Sequence, residues 1–126
     1  MPTGSTPGDE AAIVGAVLDY FEGWFEGDAA RMDRALHPEL AKRSIRQTSS
    51  DPDRLETITK RQMVDATAAG VGRRRDPGDR RIEVHVQDMS GTIANVTVRS
   101  AVYVEYLQLA RTRDGWRIVN ALWRYA

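Results

Sequence analysis

The chain has 126 residues, with 18 lysines and arginines against 18 aspartates and glutamates, two histidines and no cysteine. That length supports one hydrophobic core and one domain, the charge balance offers no field to hold a polyanion such as nucleic acid, and the lack of cysteine removes disulfides, thiol catalysis and thiolate metal ligands. Two histidines do not furnish a histidine-rich metal centre, no apolar run approaches the roughly 20 residues that cross a bilayer, and the first ten residues lack the pattern of a signal peptide, so a soluble cytoplasmic protein without metal, cofactor, nucleic-acid or membrane partner is expected.

Residues 1–9 read as a disordered tail of Pro, Gly, Ser and Thr, and residues 10–126 as a single domain. Val14, Val17, Leu18, Phe21 and Phe25 recur at helical spacing, which predicts an amphipathic first helix with Asp9 and Glu10 at its positive end and Gly27 at its stop. Ile13, Tyr20 and Trp24 lie on one flank of that stripe, which places Tyr20 at the margin of the buried face. Asp28 is an N-cap for a short second helix carrying Met32, Ala35 and Leu36, which ends near His37 because Pro38 disfavours helical geometry before it.

Leu40 to Arg46 reads as a polar strand, Gln47 to Asp53 as a loop and Leu55 to Ile58 as a short strand. Thr59 and Gln62 have capping-box spacing and open a third helix that fades at Gly70. The charged stretch Val71 to Asp79 is a surface loop. Its arginines, with Arg80 and Arg81, form a basic cluster, but Asp76 and Asp79 sit among them and no aromatic residue is interleaved to stack a base.

Ile82, Val84 and Val86 then alternate with polar residues, as in a half-buried strand. Ser90-Gly91 marks a turn. Thr92 to Ala110 is too long for one strand and requires a bend near Arg99 to Ala101. Asp114-Gly115 joins the last two strands as a hairpin. Helices followed by such a closing sheet predict an α+β fold with a pocket on its concave side.

Three segments occur in a telling order: Tyr20 to Asp28 (YFEGWFEGD), Leu36-His37-Pro38-Glu39-Leu40, and Tyr103 to Leu109 (YVEYLQL) followed by Asp114 to Asn120 (DGWRIVN). In this order they resemble the NTF2-like superfamily, in its SnoaL-like and "putative lumazine-binding" branch, over roughly Ala11 to the C-terminus. The resemblance implies an NTF2-like cone, in which three N-terminal helices pack in the concave face of a strongly curved mixed β-sheet. It also implies a pocket at one end and a homodimer through the outer sheet face. Members include ketosteroid isomerase, dehydratases and cyclases, so the fold does not fix the function.

By the same resemblance, Tyr20 and Glu105 match a tyrosine and an acid that form an oxyanion hole in ketosteroid isomerase, a case in which burial keeps the acid protonated. Glu105 shares strand parity with Tyr103, Leu107 and Leu109. The position of the isomerase base aligns with Ser44, which is no proton acceptor near neutral pH. Candidate ligand contacts are Trp24, His37, Ser44, Asn120 and Trp123. Each has a plain structural alternative: a satisfied core tyrosine, an exposed strand glutamate, a core tryptophan, a histidine capping a helix end, an asparagine in a structural hydrogen bond. Arg43 and Arg46 either meet an anion or lie on a solvated edge, and His85 points away from the apolar face. The expectation is a small-molecule binding protein for an apolar or aromatic ligand, with isomerase, dehydratase or cyclase chemistry open to Tyr20 and Glu105. The alternative is a non-catalytic dimerisation or interaction module whose own side chains fill the cavity.

Overall fold

A computed structural model describes residues 7–45 and 51–126. Helix α1 spans Asp9–Glu26, α2 Ala29–Ala35 and α3 Lys60–Ala68. The strands are β1 (Leu36–Ile45), β2 (Leu55–Ile58), β3 (Glu83–Ser90), β4 (Ile93–Arg99), β5 (Tyr103–Thr112) and β6 (Gly115–Tyr125). They form one sheet in the order β2-β1-β6-β5-β4-β3. Every pairing is antiparallel except β1 with β6. The sheet is curved but not closed, and the α+β architecture is the NTF2-like cone expected from the sequence. No helix among the described residues is long and apolar enough to cross a membrane.

Local chemistry sets the element ends. Gly27 terminates α1 in the left-handed conformation at φ 69°, where glycine lacks the steric penalty of a Cβ. The Asp28 side chain accepts from the Arg31 N–H to start α2. Thr59 and Gln62 form both halves of a capping box at α3. Between β4 and β5 the chain turns at Ser100, whose Oγ accepts from the Tyr103 N–H at 2.9 Å. This side-chain-held bend explains how the long 92–110 segment folds back without Gly or Pro.

Several boundaries differ from expectation. Asp9 belongs to α1, and it is buried where it accepts from Trp116 Nε1 at 3.0 Å and pairs with Arg111 at 3.0 Å. β1 begins at Leu36, so His37 and Pro38 lie in a strand and not at a helix end. Pro38 has no N–H for the ladder, and the pairing with β6 shifts register between Leu36 and Ala41. The loop over 71–79 contains one 3₁₀ turn, Arg73–Arg75. Residues 1–6 of the expected tail, Arg46 and the first part of the expected 47–53 loop lie outside the described residues.

α1 lies against the concave side of the sheet, for it reaches Trp116 of β6 through Asp9 and Glu105 of β5 through Tyr20. Its buried face runs through Ile13, Val17, Tyr20, Phe21 and Phe25. The apolar stripe is therefore rotated from the one centred on Val14 and Leu18, both half-buried. Tyr20 is at its centre, 2% exposed. The core continues through Met32, Leu36, Val96, Val98, Leu107, Leu109 and Ile118.

Candidate functional site

The inward residues of three elements meet where α1 crosses β1 and β5. On β5, Tyr103, Glu105, Leu107 and Leu109 are buried while Tyr106 is exposed, as the alternation of a half-covered strand requires. On β1, Leu40, Lys42 and Ser44 face inward and are buried. α1 contributes Tyr20, Phe21 and Trp24.

At the centre is a chain of three polar groups. Lys42 Nζ donates to the Tyr20 hydroxyl. Tyr20 donates its own proton to Glu105 Oε1 at 2.7 Å. Lys42 Nζ and Glu105 Oε1 are 3.7 Å apart, with both side chains almost wholly buried. Burial, together with the Glu105 carboxylate, holds the Tyr20 phenol well above its ordinary value, so the hydroxyl keeps its proton. Burial pulls the Lys42 amine below its ordinary value, and the nearby Glu105 carboxylate only partly opposes that shift.

Beside this chain lies a pocket of about 60 Å³, walled by Phe21, Trp24, Ile58, Met63, Tyr103 and Trp123 together with the three polar groups and Arg75. A single water needs roughly 10–15 Å³ by the same measure. The space thus suits a compact guest. It adjoins a wider groove that shares Ile58, Met63, Arg75, Trp24 and Trp123 and extends to Ser44, Ala66 and Val71. The aromatic wall is itself fixed: Trp24 Nε1 donates to the Tyr103 hydroxyl at 3.0 Å, which also accepts from Arg75 at 3.5 Å. The Tyr103 ring stacks on Phe25 and meets Trp123 edge-on.

One donor in this wall is left over. Trp123 Nε1 is buried and has no hydrogen-bond partner among the described residues. Lys42 Nζ lies 5.3 Å from the centre of the same indole, within cation–π range. An unpaired buried N–H costs about 1–3 kcal/mol, a penalty that an acceptor brought within its reach would relieve.

The structure brings together Tyr20, Glu105, Trp24 and Trp123, with Ser44 in the adjoining groove. Tyr20 and Glu105 do not aim two donors at a common point, because the proton of one is given to the other. Asn120 is not in the pocket. It is exposed on the outer sheet face, where its amide donates to Gln108 at 2.8 Å. The cause is an extra residue in β6: Leu109 pairs with Ile118 but Gln108 pairs with Asn120, which reverses the inward parity after Ile118 and turns Ala121 and Trp123 inward instead. His37 is also outside the pocket, and its Nδ1 accepts from the Glu39 N–H at 3.0 Å. Arg43 and His85 are exposed. The residue missed from sequence is Lys42, whose signal was its parity with Leu40 and Ser44.

A family model described as "Putative lumazine-binding" matches residues 8–124. Among solved structures, the chain is similar to an NTF2-like protein of unknown function from Silicibacter pomeroyi DSS-3, with a TM-score of 0.73 and 15% identity over 97% of this chain and 99% of that one. It is also similar to an NTF2-like protein of unknown function from Methylobacillus flagellatus KT, with a TM-score of 0.71 and 16% identity over 100% and 98% of the two chains. A cystatin-like fold protein from Burkholderia xenovorans LB400 gives a TM-score of 0.63 and 19% identity over 95% and 93%. No curated protein matches the chain.

Proposed function

The chain belongs to the family described as "Putative lumazine-binding", within the NTF2-like superfamily, and from that premise we propose that it binds a compact apolar or aromatic molecule carrying an oxygen acceptor. The observation that carries this reading is the apolar, aromatic pocket set directly against the Lys42–Tyr20–Glu105 chain, with Trp123 in its wall. An apolar aromatic surround with a few convergent polar groups is the usual make-up of a small-molecule site. The Lys42–Tyr20–Glu105 chain beside it is suited to moving a proton, the step shared by isomerase, dehydratase and cyclase chemistry.

The test follows the three tryptophan indole N–H signals by NMR while lumazine and 2-naphthol are titrated separately. The Trp123 signal shifts with at least one of them, and Trp123→Phe, which keeps an aromatic face but removes the N–H together with part of the indole, weakens that binding by at least about tenfold. If neither probe moves the Trp123 signal, or Trp123→Phe binds equally well, the reading fails.

The outer sheet face favours a second function for the fold, pairing with another copy of the chain. Tyr106 and Leu122 stand side by side in register and are 55% and 51% exposed, with Ile45 at 57%. Next to them Asn95, Gln108 and Asn120 form a ladder of side-chain amides across three strands. The same face carries Arg43 beside Leu122, with Asp88 and Arg99 further along, so a two-fold axis through the apolar and amide groups keeps these charges towards the rim. Sedimentation gives a dimer that Tyr106→Lys converts to monomer. A monomeric parent protein at tens of micromolar would refute the pairing.

A further inference from the structure

We propose that Lys42 is a nucleophilic amine that condenses reversibly with the carbonyl group of an aldehyde or ketone seated in the pocket, with Tyr20 and Glu105 as its proton relay. The inference deepens the binding reading above and rests on it, by naming carbonyl compounds as the guest class.

The choice of residue is the first argument. Of the 18 lysines and arginines in the chain only Lys42 and Lys60 are lysines. A buried pair with a carboxylate is better made by arginine, whose planar fork binds both oxygens and stays charged. In a chain otherwise committed to arginine, the deeply buried position facing Glu105 holds a lysine, which unlike arginine can give up its proton and attack carbon. Lys42 is 6% exposed, and a desolvated lysine in an apolar pocket is an activated nucleophile. Burial lowers its proton affinity in the same direction.

The second argument is the direction of the hydrogen bonds. The ammonium donates to the phenol oxygen and the phenol donates to the carboxylate. A concerted shift along that line moves one proton from Lys42 to Tyr20 and another from Tyr20 to Glu105. The result is a neutral amine, an unchanged phenol and a carboxylic acid. The nitrogen lone pair then forms the C–N bond while the carbonyl π pair moves to oxygen, which receives the proton shed by nitrogen, giving a carbinolamine. The proton held by Glu105 returns along the same path to that hydroxyl, the C–O bond breaks, water leaves, and the nitrogen lone pair closes the C=N bond. The protonated imine takes the place of the ammonium beside the Glu105 carboxylate, so the buried charges balance before and after.

The probe is benzaldehyde with sodium cyanoborohydride near neutral pH, read by peptide mass spectrometry. Lys60 is the internal reference, since it is a partly covered lysine paired with Asp33 at 3.4 Å and remote in role from the pocket. Lys42 acquires a benzyl group at least about tenfold faster than Lys60 although it is the more buried amine, because an activated amine outpaces an ordinary one. Tyr20→Phe, which interrupts the relay, reduces that ratio and leaves the Lys60 rate unchanged. Labelling of Lys42 no faster than Lys60, or a ratio unaffected by Tyr20→Phe, overturns the proposal. The same preparation is titrated with 2-naphthol and lumazine. A Trp123 shift without Lys42 labelling sinks the nucleophile alone, and absence of both sinks the binding reading as well.

Discussion

Replacing Glu105 with glutamine asks whether the buried amine and carboxylate are charged against each other. At 3.7 Å two unit charges attract by about 4.5 kcal/mol at an effective dielectric constant of 20. Glutamine keeps a carbonyl oxygen for the Tyr20 hydroxyl but leaves Lys42 without its counter-charge. Removing one member of a buried pair costs about 3–5 kcal/mol, since the remaining charge stays desolvated. Lys42→Met strands the carboxylate in the same way, and the methionine approximates the volume of the lost stem. With a urea slope of about 1.5 kcal/mol/M, each single variant lowers the unfolding midpoint by about 2–3 M. The double variant buries two neutral groups and is less destabilised than the two singles together, with a coupling energy of about 2–4 kcal/mol across the cycle. The assay is equilibrium urea unfolding of the four proteins by tryptophan fluorescence. A coupling energy below about 0.5 kcal/mol, within the usual scatter of additivity, would refute the view that these groups form a charged pair, and with it the electrostatic basis of the relay.

Tyr20 makes the alkaline limb of stability distinctive. Its folded value lies well above the ordinary 10.0, so past pH 10 the unfolded chain loses a proton that the folded one keeps, stability falls as pH rises, and Tyr20→Phe flattens that fall in urea titrations between pH 9 and 11. At the acid end, Arg34 and Arg31 hold Asp19 below 3.8; the stability it contributes is present above that value and is lost as pH falls through the folded value, so Asp19→Asn makes the acid limb shallower. Gly72→Ala would set a Cβ 2.1 Å from the Trp24 carbonyl oxygen and 2.6 Å from its ring; the expected loss is about 1–3 kcal/mol, with a changed Trp24 indole signal by NMR. Thr59→Ala breaks the capping box of α3 and costs about 1 kcal/mol in thermal unfolding.

The parts of the fold that could be read in the sequence are those fixed by neighbouring residues. Gly27, Asp28 and the Thr59–Gln62 pair each act within a few positions and each stands where its chemistry placed it; Asp114-Gly115 marked the hairpin one residue late, since the turn is Arg113-Asp114 and Gly115 opens β6 opposite Thr112 at φ 108°. Tyr20 and Glu105 were legible as a pair through the resemblance to ketosteroid isomerase; strand parity agreed for Glu105, whereas helix phase alone set Tyr20 at the margin of a face whose centre it occupies. Lys42 was hidden by type, since a lysine on a polar-looking strand reads as solvated and its burial depends on Glu105, 63 positions away in sequence. Asn120 was misplaced because the extra residue in β6 is a property of its pairing with β5, not of β6 alone. The orphaned indole of Trp123 follows from that same irregularity.

The two sides of the cavity are built with unequal freedom. Towards α1, the backbone of Gly72 is wedged against Trp24, and Arg80 ties Glu26 to Asp76, so a change there disturbs the scaffold. The opposite lip consists of Ile58 from the short edge strand β2 and Met63 from α3. Met63 is part of the buried core, whereas Ile58 is only partly covered, so a change of bulk at Ile58 resizes the doorway at least cost to the polar triad and the sheet behind it.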